Sequence, residues 1–267
     1  MYQKLLSALK DDLDAWAGRW HRHRHGVVRD KVFFLHIPKC GGTSVTRAIN
    51  SKFAPENIQH LDVLASTRVA RRLDLDLMTY RENLLFYYMA MDSCRLVSGH
   101  FNWSDRAYQL FGEDWKFVTV LRHPVRKWLS QYHFNRYKDI AANHFQVDMD
   151  INAYMDSEEG KALGHDQVSK LSDPGIQDPE ARLVAALGNL EKFAVIGLTE
   201  HLDRFQQDFE DCFGTPVNIP LLNRNPAPDR QQDALDSAEI MERVEALCKQ
   251  DLVLYNTGLD RLGLPHT

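Results

Sequence analysis

Apolar side chains fall into two kinds of pattern along this chain, and their alternation sets the expected architecture. The first is the short unbroken run. Val32, Phe33, Phe34, Leu35 and Ile37 form one, rich in aromatic and branched side chains. Such a run suits a strand buried on both faces, as in a parallel sheet. A second is KFVTVL at 116–121, and shorter candidates stand at 95–98 and 193–196. The other pattern is helical spacing. It covers 2–20 (Leu5, Leu6, Leu9, Leu13, Trp16 and Trp20 on one face), most of 58–90, then 105–111 up to Gly112, 125–138, 152–171, 179–190, 200–213 and 237–255. Arg68, Arg71 and Arg72 fall on an exposed face of the 58–90 stretch. Strands alternating with helices predict an α/β domain of three layers, α/β/α, around a central parallel sheet.

The punctuation between these elements carries the chemistry. Pro38 stops the first run, because proline cannot donate to a strand ladder. Gly41 and Gly42 then allow a sharp turn and close approach of the backbone to a ligand. Thr43 and Ser44 are placed to cap a helix bearing Val45, Ala48 and Ile49 on one face. Strand, glycine turn and helix N-terminus together suit phosphate, since the free N–H groups and the helix dipole favour an anion there. Lys39 adds a mobile positive charge. The alternative is an ordinary strand-to-helix turn, but a lysine and two hydroxyls beside the glycines favour the anion site. It is not the nucleoside-triphosphatase loop, because the order GxxxxGK[ST] is absent and the lysine precedes the glycines.

The second strong run leads into Arg122, His123 and Pro124, with proline suited to a first helical turn. Arg126 and Ser130 follow at i+4 and i+8, roughly on one helix face. Arg122 and Ser130 can grip one anion together, the guanidinium giving paired charge-assisted hydrogen bonds. A structural ion pair is the alternative role for Arg122. Ligands of parallel sheets bind at the carboxyl ends of strands. Two grips at that edge predict a ligand with phosphates at both ends.

Length and composition narrow the picture. The 267 residues fit a single domain: an N-terminal helical extension over 1–30, a nucleotide-binding core over 31–225 and C-terminal helices over 226–267. Hydrophobic residues at 44% and charged ones at 26% are ordinary for a globular protein. A net charge of −5 argues against a nucleic-acid partner. Cys40, Cys94, Cys212 and Cys248 show no metal-ligand spacing, so reduced thiols in the cytoplasm are expected. His21, His23 and His25 alternate with Arg22 and Arg24; a metal site and a solvated basic turn are the two readings, and no carboxylate or cysteine accompanies them. No apolar stretch approaches the roughly 20 residues of a membrane span, and no signal-peptide layout opens the chain. Oligomeric state leaves no mark in the pattern.

These motifs bring the chain close to a known family. IPKCGGTS after a strand resembles the 5′-phosphosulfate loop of sulfotransferases, and VTVLRHPVRKWLSQYHF resembles their 3′-phosphate motif. SGHFNWSDRAYQLFG is similar to the intervening segment of the 2-O-sulfotransferase branch, and FAVIGLTEHLDRF to a late strand-helix unit of the same group. The resemblance spans Phe33 to about Asn225 and implies the P-loop-like sulfotransferase fold. It implies 3′-phosphoadenosine 5′-phosphosulfate (PAPS) as donor, without a metal. Lys39 is then expected to neutralise the leaving oxygen, while Lys39, Cys40, Gly41, Gly42, Thr43 and Ser44 form the 5′-phosphosulfate loop. Arg122 and Ser130 would hold the 3′-phosphate, Arg224 would approach the nucleotide from above, and His100 would act as general base on a hydroxyl acceptor, with a saccharide as the candidate. Two positions depart from the pattern: Ser98 precedes Gly99-His100 where related enzymes show His-Gly-His, and His123 stands where an acidic residue is common. The segment 138–190 is expected to help form the acceptor pocket. The rival readings are a P-loop-type kinase, which lacks the loop order and a paired acidic magnesium site here, and a non-catalytic nucleotide-binding protein of the same fold.

Overall fold

Val32, Phe33, Phe34 and Leu35 are at most 1% exposed, and their strand, β1 (Lys31–Leu35), lies at the centre of a sheet. The computed structural model describes residues 27–137, 146–220 and 237–266. Beside β1 run β3 (Leu96–Gly99) and β4 (Trp115–Leu121), with β2 (Ile58–His60) and β5 (Val195–Leu198) at the edges. The order is β2-β3-β1-β4-β5 and every pairing is parallel. Inner strands of such a sheet are covered on both faces, which is why their sequences read as continuous apolar runs.

The helices come between and after the strands. α1 (Gly42–Asn50) leads from β1 toward β2, and α2 (Val63–Arg72) and α3 (Leu77–Ala90) lead to β3. α4 (Asp105–Phe111) precedes β4. Between β4 and β5 lie α5 (Pro124–Tyr137), α6 (Ile151–Asp156), α7 (Glu158–Leu163), α8 (Asp166–Leu171) and α9 (Pro179–Leu190). α10 (Leu202–Phe213), α11 (Ala238–Leu247) and α12 (Lys249–Leu262) follow β5. Crossovers leave the sheet centre in both directions, and right-handed connections then put helices on both faces. The α/β class read from the sequence is the one observed.

Topology also locates a crevice. The chain leaves β1 toward β2 on one side and leaves β4 toward β5 on the other. Connections from these adjacent strands diverge, which opens the space above their carboxyl ends. Leu35 pairs with both Gly99 and Thr119, and Leu121 with Leu198. Residues 36–44, 100, 122 and 199 therefore emerge at one edge of the sheet.

Three stretches differ from the sequence expectation, the first being 237–255, where one expected helix is α11 and α12 with a break at Cys248. Residues 58–60 form the edge strand β2 rather than opening a helix; three residues are too few to show alternation, and pairing with β3 decides their state. The single helix expected over 152–171 is three short ones. Ser157 turns extended and its hydroxyl accepts from Gly160 N, so a local side-chain bond replaces the helical ladder. At Gly164 a Cβ would press on the Leu247 carbonyl, and the chain turns again there.

A satellite cluster fixes α5. Val125, Trp128, Leu129 and Tyr132 pack with Tyr154, Met155 and Val244, and the Trp128 indole donates to the Gly160 carbonyl at 2.8 Å. The helix that follows Arg122 is thus anchored through its buried face.

Candidate active site at the carboxyl ends of β1, β3 and β4

The glycine turn is built from left-handed backbone. Lys39 has φ 65° and Gly41 φ 69°. A lysine in that region is strained, and such strain persists where surrounding structure imposes it. The cap of α1 is Gly41 itself, not Thr43 or Ser44 as the sequence suggests. The left-handed turn puts the cap two residues before Thr43, so Thr43, exposed, and Ser44, buried, lie inside the first turn. No side chain caps this helix and no acidic residue lies in its first turn. Its N-terminal dipole is therefore not offset by protein charge.

Gly42 also has a packing role that the sequence does not show. A Cβ built there would fall inside the His36 imidazole, so the missing side chain makes room for a histidine of the same chain. The Lys39 ammonium lies 3.7 Å from the centroid of the Phe134 ring on α5, a cation–π contact. Phe134 follows Ser130 by one helical turn, which puts partly exposed Ser130 on the same face of α5. Cys40 is buried and its thiol is pushed up to about 12 by burial, so it is an unreactive filler within the turn.

Arg122 leaves the end of β4 toward the same turn. Its Nη1 donates to the Lys39 carbonyl at 2.9 Å. Its Nε is buried and has no hydrogen-bond partner among the described residues. Burial, first, lowers its pKa, yet a guanidinium remains charged at any ordinary pH. A buried cation with an unspent donor fits an anionic ligand. No hydrogen bond joins Ser130 to Arg122 among the described residues. The next residue, His123, donates its N–H to the Glu200 carboxylate at 3.3 Å, and Tyr255 donates its hydroxyl to Glu200 at 3.1 Å.

His100 stands at the end of β3. Its Nδ1 is 2.8 Å from the His36 carbonyl oxygen. A carbonyl only accepts, so Nδ1 carries the proton and Nε2 keeps its lone pair. The two imidazoles are 4.4 Å apart between centroids. Burial lowers the His100 pKa, with the His36 carbonyl bond partly opposing. Burial, then the charges of His100 and His60, push His36 down to about 3. Both rings are neutral near pH 7. Arg81 donates to the His100 carbonyl at 3.3 Å, and Lys170 reaches Asn102 at 2.9 Å. Arg81, Glu82, Asn102, Trp103, Arg106 and Asp173 help line a cavity of about 290 Å³ that begins one residue beyond His100.

The structure thus gathers Lys39–Ser44, His100, Arg122 and the Ser130 face at one edge of the sheet. Arg224, the 2–20 helix and the His21/His23/His25 run lie outside the described residues. His36, Phe134, Gln167 and Glu200 were missed. His36 had a faint signal, one position past a buried strand and just before the motif; Phe134 and Glu200 lie inside quoted motifs with no chemical mark of their own, and Gln167 reaches the site from an element distant in sequence.

A parallel sheet with a helix of no side-chain cap at its switch point defines the class, an α/β domain with an anion-suited crevice. The chain belongs to the sulfotransferase domain family, whose model matches residues 29–170. Human heparan-sulfate 6-O-sulfotransferase 2 is 26% identical over 279 aligned residues, covering 86% of this chain and 44% of that protein. The mouse protein of the same name gives the same figures. The chain therefore spans less than half the length of the curated relatives it matches. Both are named as 6-O enzymes, which at this identity does not assign the chain to the 6-O or the 2-O branch. Among solved structures, mouse sulfotransferase SULT7A1 complexed with PAP aligns with a TM-score of 0.41 at 14% identity, covering 87% of this chain and 82% of that one. Among the described residues no helix is long and apolar enough to cross a membrane.

Proposed function

We propose that this domain transfers a sulfuryl group from PAPS to a hydroxyl of a saccharide. The observation that carries the reading is the joining of two anion-suited elements, the Lys39 turn and Arg122, in one crevice. PAPS fits this donor set, since it carries charge on both sides of its ribose and the crevice offers cations and open donors on both sides. When bound, it supplies an activated sulfur with a phosphate oxygen as leaving atom.

In this reading the amides and hydroxyls of Gly42, Thr43 and Ser44 hold the 5′ end, beside Cys40 and Gly41. Arg122, through its fork and its unspent Nε, holds the 3′-phosphate, with Ser130 and Arg224 assisting. His100 Nε2 accepts the proton of the acceptor hydroxyl as the new O–S bond forms and the bond from sulfur to the phosphate oxygen breaks. Lys39, held over the Phe134 face, neutralises the charge that builds on that leaving oxygen. A neutral His100 with Nδ1–H fixed by a carbonyl is the form a base requires. The cavity beside His100 is the acceptor site, lined by both cations (Arg81, Arg106) and carboxylates (Glu82, Asp173) that can bond sugar hydroxyls. The single-domain division, with its core over 31–225, belongs to the same proposal. A cytoplasmic setting, expected from the cysteine pattern of the sequence, is part of the same proposal.

The test is transfer of labelled sulfate from PAPS to a panel of saccharides and phenols. Saccharide labelling that is lost in His100→Ala, with PAP binding kept, is the expected result. Labelling of phenols alone would refute the acceptor class, and full turnover by His100→Ala would remove the base.

A further inference from the structure

Gln167 is the second residue of α8 and is completely buried. Its Oε1 accepts the backbone N–H of Arg122 at 3.0 Å, and its Nε2 donates to the Arg122 carbonyl at 2.9 Å. One carboxamide thus satisfies both backbone groups of Arg122, as a neighbouring strand would. Arg122 needs this because it lies past the sheet: β4 pairs with β1 only to Thr119 and with β5 only to Leu121. The same Oε1 also accepts from the Cys40 thiol at 3.7 Å. Gln167 therefore touches both anion-suited elements, the turn after β1 and the arginine after β4. It is itself fixed from the far end of the chain. Its N–H and that of Val168 donate to the buried Asp251 of α12, at 3.0 and 2.8 Å.

We propose that Gln167 is a positioning residue for the donor nucleotide, holding the Arg122 backbone against the Cys40 turn at the separation one 3′-phosphorylated nucleotide requires. The proposal rests on the sulfotransferase reading of the crevice. Without the carboxamide, the Arg122 peptide would be left with an unpaired N–H and C=O and would shift to find partners. The guanidinium would then be misplaced for a 3′-phosphate, whereas the 5′ grip, built on α1, would be little changed.

PAP and AMP differ only in the 3′-phosphate, so the ratio of their dissociation constants isolates this effect from the fraction of protein folded. Gln167→Met keeps the length and removes both hydrogen bonds. Titration calorimetry should show its PAP affinity falling about tenfold or more, the loss expected for displaced charge-assisted bonds, with AMP affinity nearly unchanged. Gln167→Glu adds a second readout. The ionised carboxylate accepts from Arg122 N–H but has nothing to donate to the Arg122 carbonyl, while the protonated acid restores that donor. A buried glutamate titrates above its usual value, so PAP affinity of this variant should recover toward wild type as pH falls from about 8 to about 6. A Gln167→Met ratio equal to wild type would overturn the proposal. So would a Gln167→Glu affinity that follows the wild-type pH profile, which remains a test if the methionine variant does not fold. Wild-type protein that binds AMP as tightly as PAP would instead overturn the donor reading, and this inference with it.

Discussion

Arg122 Nη1 donates to the carbonyl oxygen of Lys39 across 2.9 Å, although 83 positions separate the two residues in the chain. The bond joins the turn after β1 to the end of β4 and makes one site of two motifs. It also means that Arg122 has a structural duty besides any ligand it holds. Arg122→Ala should lose both, weakening PAP binding about 10- to 100-fold, in line with charge-assisted hydrogen bonds. Arg122→Lys retains the charge but not the fork, and should recover only part of that loss. Calorimetric titration of PAP into the two variants checks this; equal affinities for Ala and Lys would contradict it.

Phe134 holds the Lys39 ammonium on its face. Phe134→Leu keeps an apolar side chain of similar bulk and removes the ring. The expected effect is a fall in kcat of about 2- to 30-fold, the range of a desolvated cation–π contact. Phe134→Trp should stay near wild type. Steady-state kinetics decide the matter, and a leucine variant as active as the tryptophan variant would dismiss the ring's role.

Gly42 and His36 form a size-matched pair. Gly42→Ala forces its methyl into the imidazole and should cost about 1–3 kcal/mol of stability, as overpacking does. In a His36→Ala background the same change should be nearly neutral, because the obstructing ring is gone. Denaturant melts of the four proteins measure the coupling; additive effects would show that the clash is relieved elsewhere.

Acid should destabilise the fold through its histidines. His36, His60, His100, His123 and His165 all have lowered pKa values, with burial the first cause in each. Below the unfolded value of about 6.5 the unfolded chain takes up protons that the folded chain refuses. Stability is therefore complete above that pH and is lost as pH falls toward the folded values. Asp251, raised to about 7 by burial, works the other way, binding its proton in the folded state and losing stability as pH rises toward 7. Five groups against one leave a net loss on acidification, steepest for His36. Melting temperature should drop between about pH 7 and pH 5, and His36→Leu should flatten the slope. A melting temperature that rises over this interval would contradict the assignment. By the same sign, if His100 is the base, kcat should fall only below its ordinary titration range and stay level near neutrality.

Local patterns made the sheet readable. Four strands out of five and the Asp105–Phe111 and Pro179–Leu190 helices follow from apolar runs, spacing and breakers alone, because their states are decided by neighbours in sequence. Ile58–His60 was hidden because a three-residue edge strand owes its state to β3. The α1 cap was misread because a left-handed glycine outranked two hydroxyls that local propensity favours. In the candidate site, Arg122 and His100 directly follow strands and Lys39 stands in the glycine turn after one, so the sequence marks all three. Gln167 and Phe134 could not, since their role comes from packing of α8 and α5 onto those strand ends.

The most direct measurement is a crystal structure of the protein with PAP bound. The account predicts a single nucleotide spanning the β1–β4 crevice, its 5′-phosphate on the amides of residues 42–44 and its 3′-phosphate within hydrogen-bond distance of the Arg122 guanidinium. A 3′-phosphate directed into solvent away from Arg122, or a nucleotide seated in any other cavity, would contradict it.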